Sequence, residues 1–350
     1  MSQFTIAHAS IGKGSRPFII AEMSGNHNQS LERAIAIVEA AAESGAHALK
    51  LQTYTADTMT LAINEGEFFI DDEKSLWNGS SLYDLYKQAY TPWEWHQPIM
   101  QRANELGMVC FSSPFDETAV DFLEELNVPA YKIASFENNH LPLIRKAAST
   151  GKPVIISTGM ASVAEIHEAV DAARGEGCRE LILLKCTSAY PARPENCNVL
   201  TIPNMQELFG CEVGLSDHTI GIGASIAAVA HGATVIEKHF TLSRADGGVD
   251  SAFSLEPNEL ESLVIETERA WQSLGDVVYG GTSSEVKSKI FRRSLYVAED
   301  MVIGEIFTEN NLKIIRPGIG LPPKYYEQFL GRKVRMNVSK GTAVNWELII

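Results

Sequence analysis

A chain of 350 residues with an ordinary globular composition is long enough to bury a large core. Its net charge of −15 argues against nucleic acids and anionic membranes as partners. It contains no run of eighteen apolar residues and no basic signal-peptide start, and its five cysteines form no C-x-x-C pair. We therefore expect a soluble protein of the reducing cytoplasm.

Strands and helices alternate regularly along the sequence. Residues 4–6 and Ile11 predict a short hairpin before the first long strand. Apolar, β-branched runs predict eight further strands, at residues 17–23, 48–52, 108–112, 130–134, 154–157, 181–185, 211–215 and 234–236. Each is followed by a helix-length segment, and Ser30 and the capping box Ser162-x-x-Glu165 indicate two helix starts. The long connection 53–90, rich in aromatic residues, is typical of a lid or binding loop.

Eight strand–helix units over about 270 residues predict an α/β fold, a (β/α)8 TIM barrel. A doubly wound open sheet is the alternative, and it is disfavoured because no G-x-G-x-x-G follows the first strand. We assign residues 1–280 to the barrel, 281–290 to a linker and 291–350 to a small β-rich domain with short strands, among them 333–338. Residues 281–350 hold 11 Lys and Arg against 7 Asp and Glu, so a basic tail follows an acidic body.

Two imidazoles follow two consecutive strands of the predicted barrel. His218 lies in Gly214–Thr219, and His239 lies in Val235–Phe240. Because the carboxyl ends of parallel strands meet at one rim, both rings could bind a single metal ion. A lone histidine is more often an ordinary satisfied side chain than a ligand. Two at equivalent positions favour the metal interpretation.

Other polar residues at the predicted strand ends should converge on the same rim. They are Glu22, Lys50, Gln52, Ser113, Lys132, Ser135, Ser157, Lys185, Thr187, Ser188, Tyr190, Ser216 and Lys238. Several ammonium groups beside small hydroxyls suit a phosphate. Two chemistries fit this set: a lysine could form a Schiff base, or a divalent metal on the histidines could polarise an aldehyde. The paired histidines favour the second.

Ordered motifs over essentially the whole chain resemble the sialic acid synthase family. They include Ala21-Glu22-x-x-Gly25-Asn26-His27-Asn28, Leu49-Lys50-Leu51-Gln52, Tyr131-Lys132-Ile133-Ala134-Ser135, Gly214-Leu215-Ser216-Asp217-His218 and Glu237-Lys238-His239-Phe240. The tail with Arg316-Pro317-Gly318-x-Gly320 is similar to the antifreeze-like (SAF) domain of these enzymes. The run Gly248–Ser254 is most similar to that of pseudaminic acid synthases. Gln29 departs from the family motif, which commonly has Gly there.

The resemblance implies a metal-dependent condensation of phosphoenolpyruvate (PEP) with an N-acetylated aldose, by C–O cleavage of PEP. For the pseudaminic acid synthases the aldose is 2,4-diacetamido-2,4,6-trideoxy-L-altrose. Glu22, His218 and His239 would be catalytic, with the two histidines binding Mn2+ or Mg2+. The residues implied for PEP are Lys50, Ser113, Lys132, Ser135, Ser157, Ser188 and Ser216. Those implied for the sugar are Gln52, Tyr190, Asp250 and Arg316, the last supplied by the partner in a domain-swapped homodimer.

Three other functions remain open on the sequence. An N-acetylneuraminate or legionaminate synthase would use the same mechanism. A nonulosonate lyase would instead form a Schiff base on Lys132 or Lys50. A non-catalytic sugar or ice binder would need only the tail, and the polar rim argues against it.

Overall fold

The computed structural model describes residues 3–73 and 75–350. The chain divides into two compact units, Met1–Leu274 and Gly275–Ile350. The first begins with the predicted hairpin, in which β1 (Phe4–Ile6) pairs antiparallel with β2 (Ala9–Ile11).

The first unit is a closed barrel of eight parallel strands among its described residues. The strands are β3 (Phe18–Glu22), β4 (Ala48–Thr53), β5 (Val109–Pro114), β6 (Tyr131–Ile133), β7 (Val154–Ser157), β8 (Leu181–Cys186), β9 (Glu212–Asp217) and β10 (Val235–His239). They neighbour one another in chain order, and β10 closes the barrel against β3, with His239 opposite Glu22. The predicted (β/α)8 TIM barrel is therefore confirmed.

Helices surround the barrel. They are α1 (Leu31–Glu43), α2 (Ala56–Met59), α3 (Leu82–Ala89), α4 (Trp93–Glu105), α5 (Glu117–Glu125), α6 (Leu141–Ser149), α7 (Val163–Gly175), α8 (Thr201–Phe209), α9 (Gly223–Ala230) and α10 (Pro257–Leu274). Ser30 caps α1 by accepting from the Arg33 N–H, and Ser162 with Glu165 forms the predicted capping box of α7. Within the described ranges, no helix is both long and apolar enough to cross a membrane.

The apolar core has two layers, because successive side chains of a strand point to opposite faces. One cluster fills the barrel interior and includes Ile20, Phe111, Ile155 and Leu184. The larger cluster lies between the strands and the helices. Two residues further along each strand, the inward positions at the carboxyl rim are mostly polar, and this change defines the candidate site.

The second unit is β-rich. Strand β11 (Ser294–Val297) pairs antiparallel with β12 (Leu312–Ile315), and α11 (Tyr326–Phe329) packs beside them. Phe307, Phe329 and Val334 belong to its own core. The strand predicted at 333–338 is wrong, because this segment makes only single bridges to different partners, such as Ile306↔Lys333 and Met301↔Val338.

Candidate active site

Lys50 lies at the centre of a polar cluster at the carboxyl rim of the barrel. It extends inward from β4, and its Nζ lies 2.8 Å from Glu22 Oε2 on β3 and donates to Ser113 Oγ on β5 at 3.1 Å. Gln52, two residues along the same strand, donates to Glu22 Oε1 at 2.8 Å. The strand order β3–β4–β5 therefore brings together four residues that are separated along the sequence.

Lys132 forms the second half of this cluster. Its Nζ donates to Ser157 Oγ on β7 at 2.7 Å and to its own strand's Ile133 carbonyl at 3.1 Å. Glu237 lies between the two lysines, 3.8 Å from Lys50 Nζ and 3.8 Å from Lys132 Nζ, and it accepts from Ser216 Oγ at 2.9 Å. The sequence interpretation missed Glu237.

Burial determines the electrostatics of this cluster. It raises the pKa of Glu22 to about 7, although the Lys50 ammonium opposes the shift. Burial also disfavours ionisation of Glu237, but the ammonium groups of Lys132 and Lys50 outweigh it and lower its pKa. Burial lowers the pKa of Lys132. Two cationic side chains thus lie among two carboxyl groups that differ in their affinity for protons.

The rings of His218 and His239 are neighbours at the same rim, with centroids 5.3 Å apart. The Nδ1 of His218 lies 3.0 Å from the Thr187 carbonyl, which favours a proton on Nδ1. Burial alone would lower the pKa of this ring, but the adjacent Cys186 thiol and the Thr187 carbonyl outweigh it and raise the pKa. The Nδ1 of His239 is buried and has no hydrogen-bond partner among the described residues; Asp250 Oδ2 lies 3.6 Å away. Burial and the nearby cations lower the pKa of His239 well below its usual value, so this ring is neutral.

These two rings do not form a complete protein cage for a metal. No group of three or more His, Cys, Asp or Glu side chains with metal-binding potential occurs within residues 3–73 and 75–350. Any cation held by His218 and His239 would take its remaining ligands from water or substrate, as catalytic metal sites commonly do.

Gly159 lies close to two of the predicted serines, Ser135 and Ser188. A Cβ at this position would contact Ser188 Oγ and Ser135 Oγ at less than van der Waals distance, so a larger residue would displace these two hydroxyls. The Gly159 N–H donates to Ser135 Oγ at 3.2 Å. This contact brings the loops after β6, β7 and β8 together beside Lys132.

A cavity of about 290 Å³ opens next to the histidines. Gln52, Tyr190, His239 and Asp250 line it, and the Tyr190 ring lies 4.5 Å from the His218 ring between centroids. Ser24 donates to Asp250 Oδ2. Three residues that the sequence assigned to the sugar therefore share one cavity with a proposed metal ligand.

Glu137 also lines this cavity and was missed by the sequence interpretation. It ends the short 3₁₀ helix Ser135–Glu137, and its Oε2 is buried without a hydrogen-bond partner in the part of the chain that the structure describes. Burial raises the pKa of Glu137 to about 7, with Lys132 opposing. Its position two residues after Ser135 was the available sequence signal.

Of the residues predicted for the site, Arg316 differs from the others in its location. It lies in the second unit, directly after β12, and its side chain is exposed. The other thirteen lie at the carboxyl rim of the first unit, on strand ends or the loops that follow them.

The fold and its polar rim define a TIM-barrel enzyme with its chemistry at the carboxyl ends of the strands. A model of the NeuB family matches residues 37–279, and a SAF domain model matches residues 292–350. The chain belongs to the NeuB family, and the predicted C-terminal SAF domain is present.

Known relatives agree over nearly the full length. A pseudaminic acid synthase of Campylobacter jejuni serotype O:23/36 is 44% identical over 327 residues, covering 93% of this chain and 95% of the relative. A pseudaminic acid synthase of Helicobacter pylori is 43% identical, covering 94% and 96%. The crystal structure of an N-acetylneuraminic acid synthetase from Leptospira borgpetersenii in complex with citrate has a TM-score of 0.73 at 33% identity, covering 82% and 95%. The family resemblance, with its similarity to pseudaminic acid synthases, is confirmed.

Proposed function

We propose that this enzyme condenses PEP with 2,4-diacetamido-2,4,6-trideoxy-L-altrose to give pseudaminic acid and phosphate, with cleavage of the PEP C–O bond. The observation that carries this proposal is the 44% identity to a pseudaminic acid synthase across 93% of the chain. We propose that the enzyme is located in the cytoplasm, where its five buried, unbridged cysteines would stay reduced.

The buried lysines supply the positive charge that PEP needs. Lys50 and Lys132 would neutralise its phosphate and carboxylate. The hydroxyls around them would hold its oxygens; these belong to Ser113, Ser135, Ser157, Ser188 and Ser216. Glu237 offsets part of the charge of both ammonium groups in the free protein, which lowers the cost of burying them together.

His218 and His239 suit a divalent cation, Mn2+ or Mg2+. Two close imidazoles, one of them with an unpartnered buried ring nitrogen, supply the nitrogen donors that such a cation accepts. When bound there, the cation would polarise the aldehyde carbonyl of the sugar. The neutral state of His239 leaves its lone pair free for this purpose.

Glu22 would handle the charge and the proton of the central step. The C=C electron pair of PEP forms the bond from its methylene carbon to the aldehyde carbon, and positive charge develops at C2 of PEP. The C=O electron pair of the aldehyde moves to its oxygen, which takes up a proton and becomes a hydroxyl. Glu22 would stabilise that charge and take a proton from the attacking water, for which a pKa of about 7 is suitable. The tetrahedral intermediate then loses phosphate by C–O cleavage. Gln52 orients the Glu22 carboxyl.

The sugar would lie in the cavity next to the histidines, against Gln52, Tyr190 and Asp250. Arg316 would reach it from the partner subunit in a domain-swapped homodimer. Two features support this arrangement: the basic tail complements the acidic body in charge, and residues 275–293 are all exposed although they include apolar side chains such as Val277 and Tyr279. A second subunit would cover such a segment.

A second candidate is a synthase of the same mechanism for a different aldose. An N,N'-diacetyllegionaminic acid synthase of Legionella pneumophila is 36% identical over 344 residues. A Schiff-base lyase fits less well, because both buried lysines are in contact with carboxyl groups and hydroxyls.

Mass spectrometry of reaction products decides between these functions. The enzyme is supplied with PEP, Mn2+ and, in separate reactions, the altrose derivative, the legionaminate precursor and N-acetylmannosamine. We expect a diacetamido trideoxy nonulosonate from the altrose derivative, and much slower turnover of the legionaminate precursor and of N-acetylmannosamine. With ¹⁸O-water, the label should enter the nonulosonate and not the phosphate. Product from N-acetylmannosamine at the highest rate would contradict the sugar assignment.

A further inference from the structure

The cavity beside the histidines has two chemically different walls. Its barrel-rim side, which we call the polar wall, carries Gln52, Glu137, His239 and Asp250 beside the aromatic rings of Phe115 and Phe136. Its other wall comes from the connection between β4 and α4, and is mostly apolar. The lining residues of this connection include Met59, Ile70, Leu82, Leu85, Tyr86 and Ala89. We call these six residues the apolar wall.

The apolar wall is held in place by its own hydrogen bonds and ring contacts. Ser81 caps α3, and Ile70 exchanges backbone hydrogen bonds with residues 79 and 80. The Tyr86 ring packs edge-on against the Tyr54 ring, with centroids 5.8 Å apart. Trp77 Nε1 donates to the Val249 carbonyl at 2.9 Å, which fixes the connection to the loop that carries Asp250.

This inference rests on the proposed function and deepens it. We propose that the apolar wall selects aldoses that end in a methyl group over those that end in a hydroxymethyl group. With the aldehyde bound beside His239 on the polar wall and next to His218, the far end of the sugar chain would lie against the apolar wall.

The physical reason is the cost of an unpaired hydroxyl. The side chains of Met59, Ile70, Leu82 and Leu85 cannot donate a hydrogen bond, and none is a good acceptor. A hydroxyl buried against them would lose its hydrogen bonds to water without replacement, which disfavours its binding. A methyl group gains contact there instead. Since apolar pockets reject an added hydroxyl only moderately, we expect a preference of about 10- to 100-fold.

The test compares 2,4-diacetamido-2,4,6-trideoxy-L-altrose with its 6-hydroxy counterpart. The ratio of the two kcat/KM values is measured for the native enzyme and for Leu82→Asn, in which a hydrogen-bonding amide replaces part of the wall. We expect this ratio to fall at least about fivefold in Leu82→Asn, because the amide pairs with the hydroxyl. The matched control is Leu61→Asn, since Leu61 lies in the same connection, does not line the cavity and is 61% exposed; its ratio should equal that of the native enzyme.

Binding measured without turnover separates this inference from the proposed function. Calorimetric titration of both sugars into the native protein should show tighter binding of the 6-deoxy sugar, whether or not product forms. The native enzyme could make no pseudaminic acid and still bind the 6-deoxy sugar about tenfold more tightly than its 6-hydroxy counterpart. That result would contradict the proposed function but support selection by the apolar wall. Equal affinities for the two sugars would overturn the inference. A native selectivity retained in both Leu82→Asn and Met59→Gln would also overturn it.

Discussion

Lys238 and Asp217 form a fully buried ion pair behind the two imidazoles, with 3.0 Å between Lys238 Nζ and Asp217 Oδ2. Each immediately precedes one of the histidines, so strand alternation directs the pair away from the cavity that His239 lines. Lys238 also donates to the Thr219 carbonyl at 2.6 Å, and Asp217 accepts from the Thr219 N–H and from Ser225 Oγ. The pair thereby joins β9 to β10 at the level of both rings.

We expect Lys238→Met to destabilise the barrel by about 3 to 5 kcal/mol, because it leaves the Asp217 carboxylate buried without its counter-ion. Urea unfolding measures this loss. Lys185→Met is the matched control, since Lys185 is a half-buried lysine on the neighbouring strand, and it should cost less than about 1 kcal/mol. The double variant Asp217→Leu/Lys238→Met should recover most of the loss. If Lys238→Met lowered the free energy of unfolding by less than about 1 kcal/mol, the ion pair would not stabilise this part of the barrel.

Chelator treatment should remove activity, and Mn2+ should restore it. In calorimetric titration of chelator-treated protein we expect one Mn2+ per chain, because His218 and His239 supply one pair of ligands. Binding should be lost in His218→Ala and in His239→Ala. His231→Ala serves as the control, because His231 is exposed at the end of α9 and should leave the stoichiometry unchanged. Full activity without metal would contradict the proposal.

Lys132→Met should lower kcat/KM for PEP by about 10- to 100-fold, which is the effect of losing one hydrogen bond to a charged group. Steady-state kinetics with varied PEP measures the change, again with Lys185→Met as the control. Although Lys185 was predicted for the rim, Leu184 faces the barrel interior, so alternation along β8 directs Lys185 away from the site. Borohydride with pyruvate distinguishes the lyase alternative. No covalent label should appear on Lys132 or Lys50, and trapped adduct on either would refute the synthase mechanism.

The sequence predicts the barrel and most of the rim because strand ends and their polar residues are local features. The sequence interpretation did not use the alternation of side chains between the two faces of each strand. His239 faces the cavity, so Glu237 must face inward with it, and Lys238 must face the surrounding helices. The sequence interpretation instead included Lys238 in the polar rim set and overlooked Glu237. The sequence alone does not distinguish a lysine that is buried in an ion pair, as Lys238 is with Asp217, from a lysine that lines the site. This is why Lys238 was assigned to the rim.

Glu137 and the apolar wall could not be predicted in the same way. Glu137 lies on a short helix rather than on a strand, so side-chain alternation along a strand does not predict that it faces the cavity. The connection 53–90 carries no regular pattern that indicates which apolar residues approach the barrel. The connection, which the sequence analysis described as typical of a lid or binding loop, does border the cavity, since Trp77, Leu82 and Tyr86 line it.

Glu137→Gln should raise the free energy of unfolding at alkaline pH. Burial raises the pKa of Glu137 from 4.5 to about 7, so folding opposes its ionisation. The penalty is absent below pH 4, grows as pH rises from 4.5 to 7 and is complete above 7. At pH 8 we expect the variant to have a free energy of unfolding higher by on the order of 3 kcal/mol, and at pH 4 to match the native protein. Urea unfolding at the two pH values measures this. A constant difference at both would contradict the buried ionisation.

Dimers assembled from two different inactive variants should test the role of Arg316. Arg316→Ala and His239→Ala should each be nearly inactive alone. If Arg316 completes the partner's site, a mixed dimer contains one site with both native residues. Random pairing in an equal mixture should then restore about a quarter of the native activity. Co-expression with two affinity tags isolates the mixed dimer, whose activity should approach half the native value per dimer. Arg335→Ala is the matched control, because Arg335 is an exposed arginine of the same unit; it should remain active alone. Mixed dimers as inactive as the two parents would show that Arg316 acts within its own chain.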